Sequence, residues 1–488
     1  MRVFIDSCLR IAHSSLPLSL RSDLQSLLTK ANPDRAKAEK AGKSVRDIPA
    51  MVRFFWDDGQ DFCIPRGAIG VLRDRAAKRG VSILWKSNVV KRSEKRVPID
   101  DLPLSLRDYQ KEAVTKMLQL RQGYVRAPCG AGKTVMGASA IVASGEPAIV
   151  IVHTHDLLLQ WVKLFRSWEY SVRVIAGGKL RGLRTPLRIR NGVPEIAVAT
   201  VQTLHSAGSK ADTLLNSCGA VLLDEAHHAP ASTFSEVIQR CPARFRWGVS
   251  ATPDREDGWS FALHLVLGRE IFGIGMQELV ANGFLMKPTV FRVNSGAQID
   301  IEKNTVRGQV QIARCINDLA GDGRRNNLLV KMSWLLAMRG RTVLLLVPRV
   351  EQAHMLAEKI CTGFVTAIAV TSKVSKVLRQ QRIDQVRNGQ IQVLVATQLA
   401  DEGLDIPNLD ALIVASTGRA AGRAIQRIGR VMRVNKDKSK PVVIDVVDPV
   451  PFKSQSRARS MTYMRELSII APEPFEYASA LEDLKRFL

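Results

Sequence analysis

Short apolar runs alternate with amphipathic helical patterns along most of this 488-residue chain. Because a strand covered on both faces is apolar along its whole length, the alternation predicts two α/β domains in tandem, each built on a parallel sheet. The strands predicted for the first domain are 123–126, 148–152, 196–200, 220–224 and 247–250. Those predicted for the second domain are 342–347, 364–370, 391–397, 411–415 and 442–446.

Residues 1–100 follow a less regular pattern, which predicts a small domain of mixed α/β (α+β) type. The turn sequence at 57–60 lies between two apolar runs and predicts a β-hairpin. Ile69, Leu72 and Ala76 share one face of a predicted helix whose other face is basic. Two interpretations of this basic face stay open, a surface that binds duplex phosphates and an ordinary solvated helix face.

A charged linker at 91–102, followed by Pro103, predicts a domain boundary near residue 100. The predicted domains are an accessory domain at 1–100, a first α/β domain at 101–287 and a second at 288–452. The remaining segment, 453–488, is basic at first and then helix-like, and its pattern assigns it no role.

Composition adds a class of partner to this picture. The chain has 71 Lys and Arg against 46 Asp and Glu, a net charge of +25, which favours a polyanion such as nucleic acid over a merely basic surface. Its seven cysteines are scattered without a C-x-x-C pair, so neither disulfides nor zinc are expected. No apolar run has the length of a membrane span, so we expect a cytoplasmic protein with no membrane partner.

The segment 127–134, Ala-Pro-Cys-Gly-Ala-Gly-Lys-Thr, lies between a predicted strand and a predicted helix. Backbone N–H groups of such a loop bind phosphates, and the dipole of the following helix favours negative charge. Lys133 can reach the outer phosphates of ATP, and Thr134 can hold Mg²⁺ through its hydroxyl. The sequence therefore predicts a Walker A loop, although Ala127 stands where the motif usually has glycine.

A pair of carboxylates follows the predicted strand at 220–224. Asp224 can complete the shell of the Mg²⁺ ion, and Glu225 can orient and deprotonate water for attack on the γ-phosphate. With Lys133 they form a predicted catalytic set for the hydrolysis of ATP to ADP and phosphate. The second α/β domain has no Walker loop, and such a domain usually completes the nucleotide site from across a cleft.

These motifs resemble those of the DEAH-type superfamily 2 helicases, in that family's order and over residues 103–450. The resemblance implies two tandem RecA-like domains with ATP between them, preceded by the small N-terminal domain. It also implies that Gln110 bonds the adenine edge and that Arg107 packs on its face. The loop residues implied to bind ATP are Pro128, Cys129, Gly130, Ala131, Gly132, Lys133 and Thr134.

Two motifs of the second domain resemble further parts of the family's ATP site. Gly403 and Asp405 belong to a segment similar to motif V, which implies contact with ATP. Gln426, Arg430 and Arg433 belong to a segment similar to motif VI, which implies a catalytic role. Because the two arginines are three residues apart on a predicted helix, both can reach the γ-phosphate when the domains close.

The segment after the strand at 247–250 resembles motif III, which couples the nucleotide state to the relation between the domains. The triplet at 255–257 is similar to that of the group containing XPB and the phage branch-migration helicases of UvsW type, with a plain surface turn as the alternative. Residues 32–67 are similar to the duplex-binding domain that precedes the motor in such phage proteins. The residues expected to serve in coupling are His227, Ser250, Thr252, Arg255, Glu256 and Asp257.

The same resemblance implies a grip on the DNA backbone by hydroxyls and backbone amides, with little preference for base sequence. Gln160 and Trp161 are expected to support this grip. The residues implied to contact DNA are His153, Thr154, Thr200, Gln202, Thr203, Thr371 and Thr397.

We therefore predict an ATP-dependent DNA helicase or translocase that unwinds or branch-migrates forked and junction DNA in replication, recombination or repair. It is expected to act as a monomer on single-stranded and branched duplex DNA in a bacterial or phage-infected cytoplasm. The alternatives are an ATP-dependent RNA helicase, the motor subunit of a restriction system, and an ATP-gated binding platform that recruits other proteins.

Overall fold

The computed structural model describes the whole chain except residues 41, 43, 90, 94, 178–181, 226–230, 252–257, 307, 398–405, 416–427 and 436–437. Only the backbone is described at 40, 231, 232 and 376. The protein divides into two compact units. One consists of Met1–Ala127 and Gly132–Gly273, and the other of Pro128–Ala131 and Ile274–Leu488.

The first unit begins with a small mixed sheet packed against helices. Its elements are β1 (Arg2–Ile5), β2 (Cys8–Ala12), α1 (Leu18–Leu27), β3 (Thr29–Ala31), α2 (Pro33–Lys40), β4 (Met51–Arg53), β5 (Trp56–Asp58), β6 (Asp61–Pro65), α3 (Ile69–Lys78) and β7 (Leu84–Ser87). The strand order is β5-β6-β2-β1-β7, with β1 parallel to β7 and the other pairs antiparallel. The predicted hairpin is confirmed as β5–β6.

A seven-stranded parallel sheet forms the rest of the first unit, with strand order β10-β13-β9-β14-β15-β8-β16. The strands predicted at 148–152, 196–200 and 220–224 have the predicted bounds and are buried at every position. The elements are α4 (Asp108–Leu120), β8 (Gln122–Arg126), α5 (Lys133–Ser144), β9 (Ala148–Val152), α6 (His155–Ser167), β10 (Val172–Ile175), β11 (Ile189–Arg190), β12 (Val193–Pro194), β13 (Ile196–Thr200), α7 (Val201–Ala207), α8 (Asp212–Ser217), β14 (Ala220–Asp224), α9 (Ala231–Gln239), β15 (Phe245–Ser250), α10 (Ser260–Leu267) and β16 (Glu270–Gly273).

The second unit is built on a six-stranded parallel sheet with strand order β17-β24-β23-β20-β22-β21. The predicted fold class, two tandem parallel-sheet domains after a small α/β domain, is thus confirmed. The elements are α11 (Met276–Ala281), β17 (Thr289–Asn294), β18 (Thr305–Val306), β19 (Gln309–Val310), α12 (Ile312–Gly321), α13 (Gly323–Ala337), β20 (Val343–Leu346), α14 (Val350–Ile360), β21 (Ala367–Val370), α15 (Lys376–Arg387), β22 (Val393–Ala396), β23 (Ala411–Val414), β24 (Val442–Val447), α16 (Lys453–Leu467) and α17 (Ala480–Phe487).

The segment 453–488, to which the sequence assigned no role, belongs to the core of this second unit. Phe475 lies beside the edge strand β17, where its N–H donates to Arg292 O (2.8 Å) and its carbonyl accepts from Asn294 N (2.9 Å). Its ring stacks on that of Phe487, with the ring centroids 6.0 Å apart. The guanidinium of Arg459 on α16 donates to Asp445 of β24 in a buried ion pair (Nε–Oδ1 2.8 Å).

The small N-terminal sheet shares a hydrophobic core with the helix α10. Trp259, Ala262 and Leu265 pack in one cluster with N-terminal residues such as Leu72, and Phe54 meets Phe261 edge to face at 5.5 Å. The N-terminal domain is therefore part of the first unit's core and is not a tethered appendage.

Two buried arginines reinforce this contact from opposite sides. Arg66 donates to the carbonyls of Ala243 (2.6 Å) and Arg244 (2.9 Å), while Arg246 donates to the carbonyl of Ser7 (3.0 Å). Burial lowers the pKa of Arg66 to about 9 and that of Arg246 to about 10. Each cation is thus held away from water by backbone oxygens across the contact.

No described helix is long and apolar enough to span a membrane.

Candidate nucleotide and nucleic-acid site

The predicted Walker A loop joins the carboxyl end of β8 to the start of α5. Gly130 and Gly132 have positive φ angles, 89° and 80°, a backbone conformation that favours glycine. Lys133 is the first residue of α5, is 8% exposed, and lies with Nζ 3.3 Å from Glu225 Oε1. Thr134 follows it in the first helical turn. The glycines, the lysine and the threonine of the predicted loop therefore lie between β8 and the first turn of α5, and phosphate binding there stays a prediction.

The two predicted carboxylates lie at the end of the central strand β14, which β15 separates from β8 in the sheet. Asp224 is 5% exposed, and burial, followed by the charge of Glu225, raises its pKa to about 6. Glu225 has a left-handed backbone, with φ of 47°, and its N–H donates to Val249 O (3.0 Å). A glutamate in this conformation carries strain that is typical of functional sites.

The residues predicted to recognise adenine come together at the start of α4. The backbone N–H of Arg107 donates to Gln110 Oε1 (3.1 Å), and its guanidinium donates to Tyr109 Oη (3.2 Å). A Cβ placed on Gly132 would lie 2.5 Å from Gln110 Nε2, so Gln110 borders the phosphate loop directly. Tyr109 belongs to this cluster as well, and the sequence analysis gave it no role.

The predicted DNA contacts of the first unit gather at the carboxyl ends of β9 and β13. These strands are neighbours with Val152 opposite Thr200, so His153 and Thr154 lie beside the residues that follow β13. Gln202 Nε2 donates to His153 O (3.1 Å), which joins the two segments. The Thr154 hydroxyl caps α6 by accepting from Leu157 N (3.3 Å), and the hydroxyls of Thr200 and Thr203 lie 2.8 Å apart.

The second unit shows a corresponding arrangement at β21 and β22. Thr371 and Thr397 follow these strands, whose last residues, Val370 and Ala396, are register partners. Thr371 is 1% exposed and its hydroxyl lies 3.1 Å from His354 Nε2. Among the described residues, the buried Thr397 hydroxyl has no hydrogen-bond partner. The two threonines therefore lie side by side at the carboxyl ends of neighbouring strands, and their predicted contact with DNA stays a prediction.

The predicted arginines of motif VI lie in the second unit, Arg430 in a short helical segment and Arg433 just after its end. Arg433 pairs with Leu285 in an isolated antiparallel bridge, and its carbonyl accepts from Lys438 Nζ (3.0 Å). Burial lowers the pKa of Lys438 to about 8. Within the same unit, a Cβ placed on Gly130 would lie 3.4 Å from Gly429 O and 3.5 Å from Arg433 Cγ. Arg430 is half-buried. Gly130, which is grouped with the second unit, therefore lies close to Gly429 and Arg433.

Several predicted residues lie outside the part of the chain that the structure describes, and they stay predictions. Ser250 alone of the coupling residues is described, fully buried, with its carbonyl accepting from Ala127 N (3.0 Å). Those outside are His227, Thr252, Arg255, Glu256, Asp257, Gly403, Asp405 and Gln426.

Trp161 is the residue whose place the sequence analysis missed. It was expected beside the DNA grip, yet it is fully buried and its indole Nε1 donates to Asp224 Oδ2 (2.7 Å). Its neighbour Gln160 is half-buried. The amphipathic pattern of α6 places Trp161 on the apolar face, so its burial could be predicted from the sequence. Its hydrogen bond to Asp224 could not be predicted.

Two family models match the chain. The model described as the res subunit of type III restriction enzymes matches residues 103–255, and the helicase conserved C-terminal domain matches 325–435. Together they cover the predicted Walker motifs and the strands of both parallel sheets except β16, β17 and β24.

Two relatives and one solved structure are similar to the chain. A protein of Sulfolobus islandicus filamentous virus that is named as a helicase is 29% identical over 70% of this chain, which spans 64% of its length. The DNA 3'-5' translocase XPB2 of Sulfurisphaera tokodaii is 25% identical over 72% of this chain and 84% of its own length. The structure of S. cerevisiae Dbp5 bound to RNA and ADP BeF3 is 14% identical with a TM-score of 0.57, covering 78% of this chain and 92% of that one. At this identity the structural likeness shows the fold alone, two tandem RecA-like domains, as predicted.

Proposed function

Because the chain belongs to the superfamily 2 helicases, we propose that it is an ATP-driven DNA helicase or translocase that unwinds or branch-migrates forked and junction DNA. The observation that carries the proposal is the pairing of Lys133 with Glu225 (3.3 Å) at the carboxyl edge of a parallel sheet, next to Asp224. This edge is where α/β sheets bind ligands, and the three groups are those that phosphoryl transfer to water needs.

Mg²⁺ fits the residues present at this edge. Asp224 is a nearly buried carboxylate whose pKa is raised by burial and by the charge of Glu225, a situation that a bound cation relieves. Asp224 and the Thr134 hydroxyl would hold the ion. Bound there, Mg²⁺ supplies charge neutralisation at the phosphates of ATP. Lys133 would leave Glu225 for the phosphates, and Glu225 would then orient and deprotonate water.

The second unit would supply the remaining charge. Arg430 and Arg433 are three residues apart at the end of one short helical segment, and Arg433 Cγ lies 3.5 Å from the Cβ position of Gly130. Arginine fingers of this kind contribute about 10³ to 10⁵ in rate. Hydrolysis would therefore depend on domain closure, and alternating closure and release would advance two phosphate grips along a strand.

The docked N-terminal domain supports branched DNA as the substrate. Its core is shared with α10, so a duplex held there would keep a fixed position relative to the first parallel sheet. The exposed Lys78 and half-buried Arg75 of α3 supply positive charge on this domain. A single-strand motor joined rigidly to a duplex holder is suited to forks and junctions.

The proposal is tested by ATP hydrolysis with single-stranded DNA, duplex, fork, Holliday junction and RNA as separate activators. We expect the fork and the junction to stimulate most and RNA least. Equal stimulation by RNA would favour an RNA helicase, and stimulation by plain duplex alone would favour the motor of a restriction system. Glu225→Gln should remove turnover with every activator, and wild-type turnover in that variant would contradict the assignment of the base.

Charge reversal tests the duplex-holding role without removing the domain. Arg75→Glu with Lys78→Glu should weaken binding to forked duplex more than binding to single strands, because only the former would contact α3. Arg324→Glu with Lys331→Glu, both at exposed positions on α13 of the second unit, makes the same change of charge and is the matched control. Equal losses on both DNA forms would contradict the role.

A further inference from the structure

We propose that Trp161 is a positioning residue that joins the Walker B carboxylate to helix α6, so that nucleic acid bound at the start of α6 changes how Asp224 holds Mg²⁺ and nucleotide. This inference rests on the proposed function, and it concerns the connection between the nucleotide site and the predicted nucleic-acid contact.

The hydrogen bond from Trp161 to Asp224 is specific in direction. The indole Nε1–H is a donor only, it is fully buried, and it donates to Asp224 Oδ2 at 2.7 Å. Hydrogen bonds to charged acceptors are short and strong, particularly away from water. The bond thus fixes one oxygen of the carboxylate and thereby orients the other.

The indole ring is also held in place by the helix that follows the phosphate loop. A Cβ on Gly137 of α5 would lie 2.9 Å from Trp161 Cη2 and 2.8 Å from Leu222 Cδ1 on β14. Phe165, one turn along α6, packs on the ring with centroids 5.7 Å apart. One side chain of α6 therefore touches the Walker A helix and the Walker B strand together. A rotation or shift of α6 must therefore move the indole relative to Gly137 and Asp224.

The other end of α6 is the predicted DNA contact. Thr154 caps the helix, and His153 before it is joined to Gln202 at the end of the neighbouring strand. Trp161 lies six residues beyond His155, the first residue of α6, which is about 9 Å along a helix. Phosphates bound at the cap would therefore contact the same helix that, roughly two turns later, carries the indole bonded to Asp224.

The test compares Trp161→Phe with a matched variant, Trp247→Phe. Phenylalanine keeps most of the ring packing and removes the N–H. Trp247 is equally buried in the same unit, but its Nε1 donates to a backbone carbonyl, that of Met117 (2.9 Å). Urea unfolding midpoints of both variants show whether each loses a similar amount of stability.

The readout is the affinity for a fluorescent ADP analogue as Mg²⁺ is varied, measured with and without saturating single-stranded DNA. In the wild type, DNA should shift the Mg²⁺ concentration for half-maximal binding. In Trp161→Phe that concentration should rise about tenfold, as expected for a lost hydrogen bond to a charged group, and DNA should no longer shift it. Affinity in EDTA should be unchanged, and Trp247→Phe should behave as the wild type.

Two results would overturn the inference. If Trp161→Phe keeps both the wild-type Mg²⁺ dependence and its shift by DNA, the indole does not connect the sites. If it weakens nucleotide binding equally with Mg²⁺ and in EDTA, its role is packing alone. A wild type without Mg²⁺-dependent nucleotide binding would overturn the proposed function itself, and the inference with it.

Discussion

One methyl group at Gly67 should separate the N-terminal domain from the rest of the first unit. A Cβ at this position would lie 2.3 Å from Leu265 O and 2.5 Å from His264 O, both backbone atoms of α10. Overpacking typically costs 1–3 kcal/mol, and backbone oxygens cannot rotate away, so we expect about 3 kcal/mol for Gly67→Ala. Gly70→Ala is the control, because a Cβ there meets nothing within 4 Å. It should stabilise the exposed start of α3 by up to about 1 kcal/mol.

Urea unfolding followed by tryptophan fluorescence measures the difference. With a slope of about 3 kcal/mol per molar, the two variants should differ by about 1 M in the midpoint of the transition that reports the first unit. Limited proteolysis should release the N-terminal domain from Gly67→Ala at lower protease concentration. Coinciding midpoints with the same cleavage pattern would show that the contact with α10 is absent in solution.

Three further outcomes are expected. Lys133→Ala should abolish ATP turnover while DNA affinity in a filter-binding assay stays near wild type; losing both would indicate misfolding. Because burial raises the pKa of Asp224 to about 6, its carboxyl is increasingly protonated as pH falls through that value, so Mg²⁺-dependent nucleotide affinity should decline between about pH 7 and pH 5.5. An affinity that is flat over this range would contradict the assignment of Asp224 to the metal. Phe475→Ala should destabilise the second unit by about 2 kcal/mol in urea, whereas Phe364→Ala, at an 85% exposed site, should be neutral. Equal effects would show that Phe475 does not pack on β17.

The parallel sheets could be predicted from the sequence because their strands are buried on both faces. A run such as Ala148–Val152 is apolar throughout and lies between Pro147 and His153, so local pattern and tertiary burial agree. The phosphate loop could be predicted for a similar reason. Its glycines, lysine and threonine are adjacent in the chain, and their chemistry requires that spacing.

Contacts between distant segments could not be predicted. Phe475 is a single apolar residue in a segment that has neither the helical nor the strand spacing of apolar positions. It pairs with the edge strand β17, which is far from it in the sequence. Trp161 reads as one apolar position on an amphipathic helix, and no local signal states that its N–H meets a carboxylate 63 residues later. The burial of Arg66 could not be predicted either, because its acceptors are the backbone oxygens of Ala243 and Arg244, 177 and 178 residues away in the sequence.

The shared core of the N-terminal domain has a consequence during synthesis. Trp259, Ala262 and Leu265 leave the ribosome roughly 180 residues after β7, which at 5–20 residues per second is a delay of roughly 10 to 40 s. Over that interval Phe54 and Leu72 lack the surface that finally covers them. We therefore expect chaperones to bind the N-terminal domain of the nascent chain until α10 has been synthesised. On a ribosome stalled before α10, this domain should expose apolar surface and be sensitive to protease.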